Sequence, residues 1–165
     1  MRDHLHRHTD DTGVCYSYSP LDRTRVFNAS LFAGKILARA ARDTAADEAD
    51  VWRREAALTV DYVVARQRED GGWIYGEADH WQWIDNLHTG FVLETIDEIA
   101  RLVDTPDRWT DATSRGLAFY RAHLLAPDGT PRYHADGAAW LDSHTVAQTA
   151  LTLLRFADRD PGLVA

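Results

Sequence analysis

Lysine is almost absent from this 165-residue chain, in which Lys35 is the single example. The net charge is −8, and the acidic residues are twenty aspartates against six glutamates. A protein that binds nucleic acid through its phosphates needs lysine and arginine clustered on one surface. The charge balance therefore argues against nucleic acid as a partner.

Cysteine and long apolar runs are also scarce. Cys15 is the one cysteine, which excludes an internal disulfide and a zinc site built from cysteines. No run approaches the roughly 18 apolar residues of a membrane span. Residues 1–13 lack the apolar core of a signal peptide. We therefore expect a cytoplasmic protein with no membrane partner.

Several motifs of well-defined chemistry are missing as well. The chain has no GxSxG, no phosphate-binding glycine loop, no HExxH and no dinucleotide fingerprint. We accordingly predict no cofactor and no metal. His4, His6 and His8 alternate along the chain, but alternation alone fixes no geometry. A solvated lead-in is therefore favoured over a metal site.

The apolar periodicity predicts five helices and no strand, so the expected fold class is all-α. Asn28 is expected to cap the first helix, and Pro106 to occupy the first position of the fourth. We divide the chain into a flexible polar lead-in (1–13), a helical domain (14–157) and a tail (158–165). The predicted helices span about 28–42, 48–67, 85–103, 106–125 and 143–157.

A shift of about 57 residues superimposes three units of the chain. It places Tyr18 on Tyr75 and Tyr133, and it places Trp83 on Trp140. Each unit contains a loop with an aromatic residue, a capped helix, a turn and a second helix. Such helical hairpins bury their apolar faces only against neighbouring hairpins.

One segment carries a family resemblance. The spacing Tyr62-Val63-(x3)-Gln67-(x3)-Gly71-x-Trp73 resembles the QW-type repeat of squalene-cyclase and prenyltransferase α/α toroids. The strings GGWIYGEADHWQWIDNLHTGFVLE and SYSPLDRTRVFNASLFAGKIL look similar to the VpsJ-like proteins of exopolysaccharide clusters, relatives of the six-hairpin glycosidases. The resemblance covers residues 14 to about 157. It implies an α/α toroid that acts in polysaccharide biosynthesis.

The length differs from that family. A full toroid has about twelve helices in six hairpins, whereas this chain is expected to have five helices, so it resembles the C-terminal half of one. A half-ring exposes apolar helix faces, and exposed faces of that kind mark interfaces. We therefore expect a homo-oligomer, most simply a dimer, or else a missing N-terminal half.

Four residues are candidates for catalysis. Asp85 and Asp142 precede the third and fifth helices, where a carboxylate could act as a general acid or base or could simply cap the helix. His88 and His144 follow them within the first helical turn, and the resemblance to toroid sugar epimerases suggests an acid/base pair. Structural hydrogen bonding is the alternative for both histidines.

The same loops are rich in aromatic and polar residues that could contact a sugar. Packing between helices is the alternative for the aromatic residues, helix capping for Asn86, and an ordinary solvated turn for Glu77. One of Trp81 and Trp83 is expected to face the cavity, because the two alternate in sequence. The predicted substrate-binding residues are Tyr75, Glu77, Trp81, Trp83, Asn86, Tyr133 and Trp140.

The sequence therefore predicts a carbohydrate-active or polysaccharide-biosynthesis-associated toroid protein with a glycosyl substrate. The alternative is a helical-repeat protein that binds glycans or serves as a scaffold without catalysing a reaction. A terpene cyclase or prenyltransferase is a distant third, because the DxDD and DDxxD acid motifs are absent.

Overall fold

The structure is a computed structural model that describes residues 4–137 and 141–159. Within these residues it contains five α-helices, one short 3₁₀ helix and two short strands. The strands are β1 (Arg7–Asp10) and β2 (Gly13–Tyr16), and a 3₁₀ turn spans Asp79–Trp81. The helices are α1 (Phe27–Ala40), α2 (Ala46–Val64), α3 (Asn86–Leu102), α4 (Thr110–His123) and α5 (Ser143–Phe156). The predominantly helical fold is confirmed.

The prediction that the chain has no strand is wrong. β1 and β2 form an antiparallel hairpin, which occupies most of the segment expected to be a loose lead-in. Its turn closes because the Asp10 carboxylate accepts hydrogen bonds from the backbone of Thr12 and Gly13. β1 is mostly exposed and β2 is buried along its whole length, so neither strand shows the alternating polarity by which a half-buried strand is recognised.

Tertiary contacts hold this hairpin on α2. The buried Glu55 carboxylate accepts a hydrogen bond from the Tyr16 hydroxyl at 2.8 Å and pairs with the Arg7 guanidinium at 2.5 Å. Asp10 pairs with Arg66 at 2.6 Å. β2 is fully buried and packs against both α1 and α2. The hairpin therefore covers one end of the helical array.

The helices form a row, with α1 against α3 and α3 against α5, while α2 packs on α1 and α4 packs on α3. The core lies between these layers, where Leu31, Val60, Leu93, Ile96 and Phe119 are buried. No helix in the described part of the chain is long and apolar enough to cross a membrane.

Two predicted helix starts need correction. α1 begins after Val26, and Asn28 is buried inside its first turn rather than capping it. α4 begins at Thr110, so Pro106 lies in the preceding turn. Asp104 has a left-handed backbone, with φ of 56°. That conformation separates the end of α3 from the turn that contains Pro106, and a capping pattern in sequence does not reveal it.

Backbone hydrogen bonds join neighbouring loops at the start of α1 and again at the start of α3. At the start of α1, the Phe27 N–H donates to the Tyr75 carbonyl at 3.3 Å and the Glu77 N–H donates to Arg25 at 3.1 Å. At the start of α3, the Asn86 N–H donates to Tyr133 at 2.9 Å and Ala135 donates to Ile84 at 3.0 Å. Each helix start is thus tied to the loop that leads towards the next helix of the row.

Gln67 and Trp73 connect α2 to α4. The Gln67 side-chain amide donates to the carbonyls of Gly71 and Ala112 at 2.9 and 2.8 Å. The buried Trp73 indole donates to the Val63 carbonyl at 2.9 Å. A Cβ added to Gly116 on α4 would lie 2.5 Å from the Trp73 ring, so only glycine allows this approach.

Candidate functional site

Asp85 caps α3 and is almost fully buried, with 2% of its surface exposed. Its extended backbone places the carboxylate over the first turn, where one oxygen accepts the His88 backbone N–H at 2.8 Å. The other oxygen accepts the Trp83 indole N–H at 3.0 Å and contacts the His88 ring Nδ1 at 2.7 Å. Asp85 therefore both caps the helix and orients His88.

These partners also decide the charge on Asp85. Burial opposes ionisation, but the hydrogen bonds and the charge of His88, together with the Trp83 indole, outweigh it and hold the pKa below its ordinary value. An ionised Asp85 can only accept hydrogen bonds, so the proton of a neutral His88 ring resides on Nδ1. The lone pair of Nε2 is then available to accept a proton from a ligand. No residue in the described ranges forms a hydrogen bond with Nε2.

Aromatic rings flank this histidine. Tyr75 and Trp83 stack with ring centroids 4.9 Å apart and planes inclined by 11°. Tyr75 also meets the edge of the His88 ring at 4.5 Å. Trp83 stacks on Tyr75 with one face and is 39% exposed, whereas Trp81 packs edge-on against Tyr75 at 5.7 Å.

An open cleft of about 470 Å³ adjoins the pair. Four of the residues predicted from the sequence line this cleft, namely Trp83, Asp85, His88 and Tyr133. Burial and the negative charges of Asp85 and Asp142 raise the pKa of Tyr133, so its hydroxyl keeps its proton at neutral pH.

Two lining residues, His134 and Asp136, were missed from the sequence. His134 pairs with Asp85 through an isolated β-bridge, which brings its loop to the mouth of α3. In the repeat alignment His134 matches Gly76, because each residue follows one of the aligned tyrosines, Tyr133 and Tyr75. Glycine has no side chain, so its repeat partner did not suggest a functional group. A second cleft, of about 360 Å³, shares Trp83, His134 and Asp136 with the first.

Asp142 and His144 are placed differently from Asp85 and His88. Asp142 caps α5 by accepting hydrogen bonds from the His144 and Thr145 backbone at 2.8 and 3.0 Å, with a backbone conformation close to that of Asp85. The His144 side chain is 88% exposed, and its Nδ1 lies 3.8 Å from Asp142. Neither residue lines the cleft. The aspartate and histidine side chains are therefore in close contact at the start of α3, whereas the histidine side chain at the start of α5 is exposed to solvent.

Glu77 and Asn86 make structural contacts outside the cleft lining. Glu77 accepts a hydrogen bond from the Tyr62 hydroxyl at 2.6 Å and forms ion pairs with Arg25 and Arg66. Burial opposes ionisation of Glu77, but these partners outweigh it and hold its pKa below the ordinary value. Asn86 is completely buried.

The Asn86 side chain connects α3 to both of its neighbours. Its oxygen accepts hydrogen bonds from Tyr120 on α4 at 2.7 Å and Thr149 on α5 at 2.9 Å. Trp140, the remaining predicted residue, lies outside the described residues. Within the described ranges, no group of three or more histidine, cysteine or acidic residues is arranged to hold a metal ion.

Comparison with known proteins gives no assignment. The chain matches no protein-family model, no curated protein and no solved structure. The functional argument therefore rests on the geometry around Asp85 and His88.

Proposed function

We propose that this chain is a carbohydrate-active protein in which His88 moves a proton on a sugar bound beside Asp85. The observation that carries the proposal is the 2.7 Å contact between the Asp85 carboxylate and Nδ1 of His88. A carboxylate in this position fixes the orientation of the ring and the position of its proton, and it stabilises the imidazolium that forms. Nε2 then acts as the general base.

The walls of the cleft favour a sugar as the ligand. The exposed face of Trp83, backed by Tyr75, offers a flat apolar surface on which the C–H face of a pyranose can stack. Polar groups of Tyr133, His134 and Asp136 line the same cleft and suit the hydroxyl groups of a sugar. A volume of about 470 Å³ lies within the range of small-molecule sites.

The geometry favours elimination or epimerisation over hydrolysis. Glycoside hydrolysis needs two carboxyl groups flanking the scissile bond. Asp85 is committed to its cap, to Trp83 and to His88, and Asp142 does not line the cleft. A neutral imidazole instead suits removal of a proton from carbon. The protonated Tyr133 would then give its proton to the leaving oxygen as its C–O bond breaks in an elimination, or to the opposite face of the same carbon in an epimerisation. Such a carbon needs an adjacent carboxylate or carbonyl, so uronates are the preferred substrate class.

We further propose that the helices form about half of an α/α toroid. The paired backbone bonds at the starts of α1 and α3 support this architecture. The matching caps at Asp85 and Asp142 and the contacts of Gln67 and Trp73 between α2 and α4 support it as well. In such an array the loops before α1, α3 and α5 would surround one mouth, where the cleft lies.

A glycan-binding protein without catalysis is the second candidate. The exposed Trp83 face favours it, because an aromatic platform binds sugar whether or not a proton is transferred. His88 would then be a hydrogen-bonding group at the edge of the platform.

The test is a panel of neutral oligosaccharides and hexuronate oligomers, with Trp fluorescence to report binding and chromatography to report turnover. Turnover of a uronate that is lost in His88→Ala, with binding retained, is the result we expect. His144→Ala is the matched control, since this histidine also follows a capping aspartate but its side chain is 88% exposed and lies outside the cleft. It should behave as the parent protein does.

Each remaining outcome has a defined meaning. Binding without turnover, weakened by Trp83→Ala, would support the non-catalytic candidate. If no glycan in the panel changes the fluorescence or is consumed, both candidates fail. Equal effects of His88→Ala and His144→Ala would refute the assignment of the site.

A further inference from the structure

The polarity of α5 is inverted relative to an ordinary surface helix, whose apolar stripe faces the core. Its buried side is mostly polar and faces α3. Thr149 donates to Asn86 at 2.9 Å, while Gln148 and Thr152 donate to Glu94 at 2.5 and 2.6 Å. Phe156 at the end of α5 is buried in the core, whereas Val146, Leu151 and Leu154 point away from the rest of the described chain.

The exposed side of α5 is continuous and uncharged. Ser143, Ala147, Ala150 and Leu154 follow the i, i+4, i+7, i+11 spacing of one helical stripe, and all four are exposed. Val146 and Leu151 flank this stripe and are 44% and 58% exposed, and Leu154 is 71% exposed. No aspartate, glutamate, lysine or arginine occurs between Ser143 and Leu154.

The other end of the helical row is already covered. The β-hairpin packs against α1 and α2, and the Tyr16 backbone donates to the Ser30 hydroxyl of α1 at 3.0 Å. Within the described residues, α5 packs chiefly on α3. The open end of the row is therefore the α5 face.

We propose that a second copy of this chain docks on the α5 face, with the two α5 helices antiparallel around a two-fold axis. An isologous contact of this kind requires one self-complementary surface. About an axis midway between Ala147 and Ala150, those two alanines oppose each other and Ser143 opposes Leu154 of the second copy. The small central residues let the helices approach closely, and each Leu154 packs beside the small Ser143 of the other copy.

Charge favours the same arrangement. Two chains that each carry a net charge of −8 repel one another over most of their surfaces. The α5 face avoids this repulsion because it has no charged side chains. Antiparallel pairing also sets the dipoles of the two α5 helices in opposition.

The area of the face sets the expected strength. A 14-residue helix is about 21 Å long, and a face about 10–12 Å wide gives roughly 200–250 Å² per copy. The pair would bury about 500 Å², less than the roughly 1,000 Å² of a stable interface. We therefore expect a dimer in exchange with monomer, with a dissociation constant on the order of 100 μM.

Sedimentation velocity of the full chain from about 10 μM to about 1 mM tests this, since the range brackets the expected dissociation constant. The parent chain should shift from monomer to dimer, and Leu154→Asp should remain monomeric throughout. Ile36→Asp, at a 54% exposed position on α1, is the matched control and should still dimerise. A parent chain that stays monomeric at every concentration, or a Leu154→Asp chain that still dimerises, would overturn the proposal.

Cross-linking tests the antiparallel register. Ser143→Cys and Leu154→Cys chains, mixed and treated with a short bis-maleimide, should form a mixed dimer much faster than either variant forms a dimer alone. Cys15 does not compete, because it is buried and burial raises the pKa of its thiol to about 11. Equal cross-linking of mixed and single variants would refute the antiparallel arrangement.

Discussion

Replacing Asp85 with asparagine changes one oxygen of the cap into an amide group. The retained oxygen can still accept the His88 backbone N–H, so the helix cap survives. The new NH₂ group faces the Trp83 indole N–H and Nδ1 of His88, both of which need an acceptor there. The substitution therefore removes two charge-assisted hydrogen bonds and leaves the cap in place.

The cost follows from the exposure of the two donors. A hydrogen bond to a charged group contributes about 1.5–3 kcal/mol, but Trp83 and His88 are partly exposed and water can replace part of each bond. About 1 kcal/mol for each donor gives a loss of about 2 kcal/mol. For a chain of this size, that loss lowers the Tm by about 4–8 °C.

Asp142→Asn is the matched control, since Asp142 caps α5 with nearly the same backbone conformation. Its partners are two backbone N–H groups and the Thr145 hydroxyl, which can rotate to suit an amide. We expect a loss below about 0.5 kcal/mol. Thermal unfolding followed by circular dichroism compares the variants, and equal Tm changes would refute the assigned role of Asp85.

The pH dependence gives an independent check. The pKa of Asp85 is lowered in the folded protein, so its stabilisation is present above the ordinary value of 3.8 and is lost as the pH falls through the folded value. The difference in unfolding free energy between the parent and Asp85→Asn should therefore shrink as the pH falls through the folded pKa of Asp85 and disappear in acid. A difference that persists at the lowest pH would mean that Asp85 acts through packing alone.

Two further substitutions test the helix contacts. Burial raises the pKa of Glu94, so the ionised form is disfavoured in the folded state. Glu94→Gln should therefore raise the Tm at neutral pH. This gain should disappear as the pH falls towards 4.5, where the unfolded carboxyl also becomes protonated. A gain that is independent of pH would contradict this explanation. Gly116→Ala places a Cβ 2.5 Å from the Trp73 ring and should lower the unfolding free energy by about 1–3 kcal/mol in urea titrations. Ser114→Ala on the exposed side of α4 should change it little, and equal effects would argue against the close contact at Gly116.

Local sequence patterns determined much of the helical framework. Apolar periodicity predicted five helices, and the ends of α3 and α5 agree with those predictions to within a residue or two. Asp85 and Asp142 could be identified as caps because the interaction is local, joining a side chain to backbone N–H groups two or three residues later. The hairpin and the start of α4 were not predictable in this way. The hairpin depends on contacts of Arg7 and Tyr16 with Glu55, which is distant in sequence.

The composition of the candidate site was likewise only partly readable. Asp85, His88 and Trp83 lie within six consecutive residues, so their association follows from one loop and one helical turn. His134 and Asp136 reach the cleft through backbone pairing between loops about fifty residues apart, which no local pattern encodes. The two aspartate–histidine pairs also differ in spacing, because His88 follows Asp85 by three residues and His144 follows Asp142 by two. The Asp85–His88 pair is enclosed by Tyr75 and Trp83, whereas His144 is open to solvent. The sequence by itself determined that the His88 ring, three residues after Asp85, could reach the capping carboxylate. Only the packing of loops around α3 decided that this pair lies against Tyr75 and Trp83 and beside His134 and Asp136, because contacts between loops depend on residues that are distant in sequence.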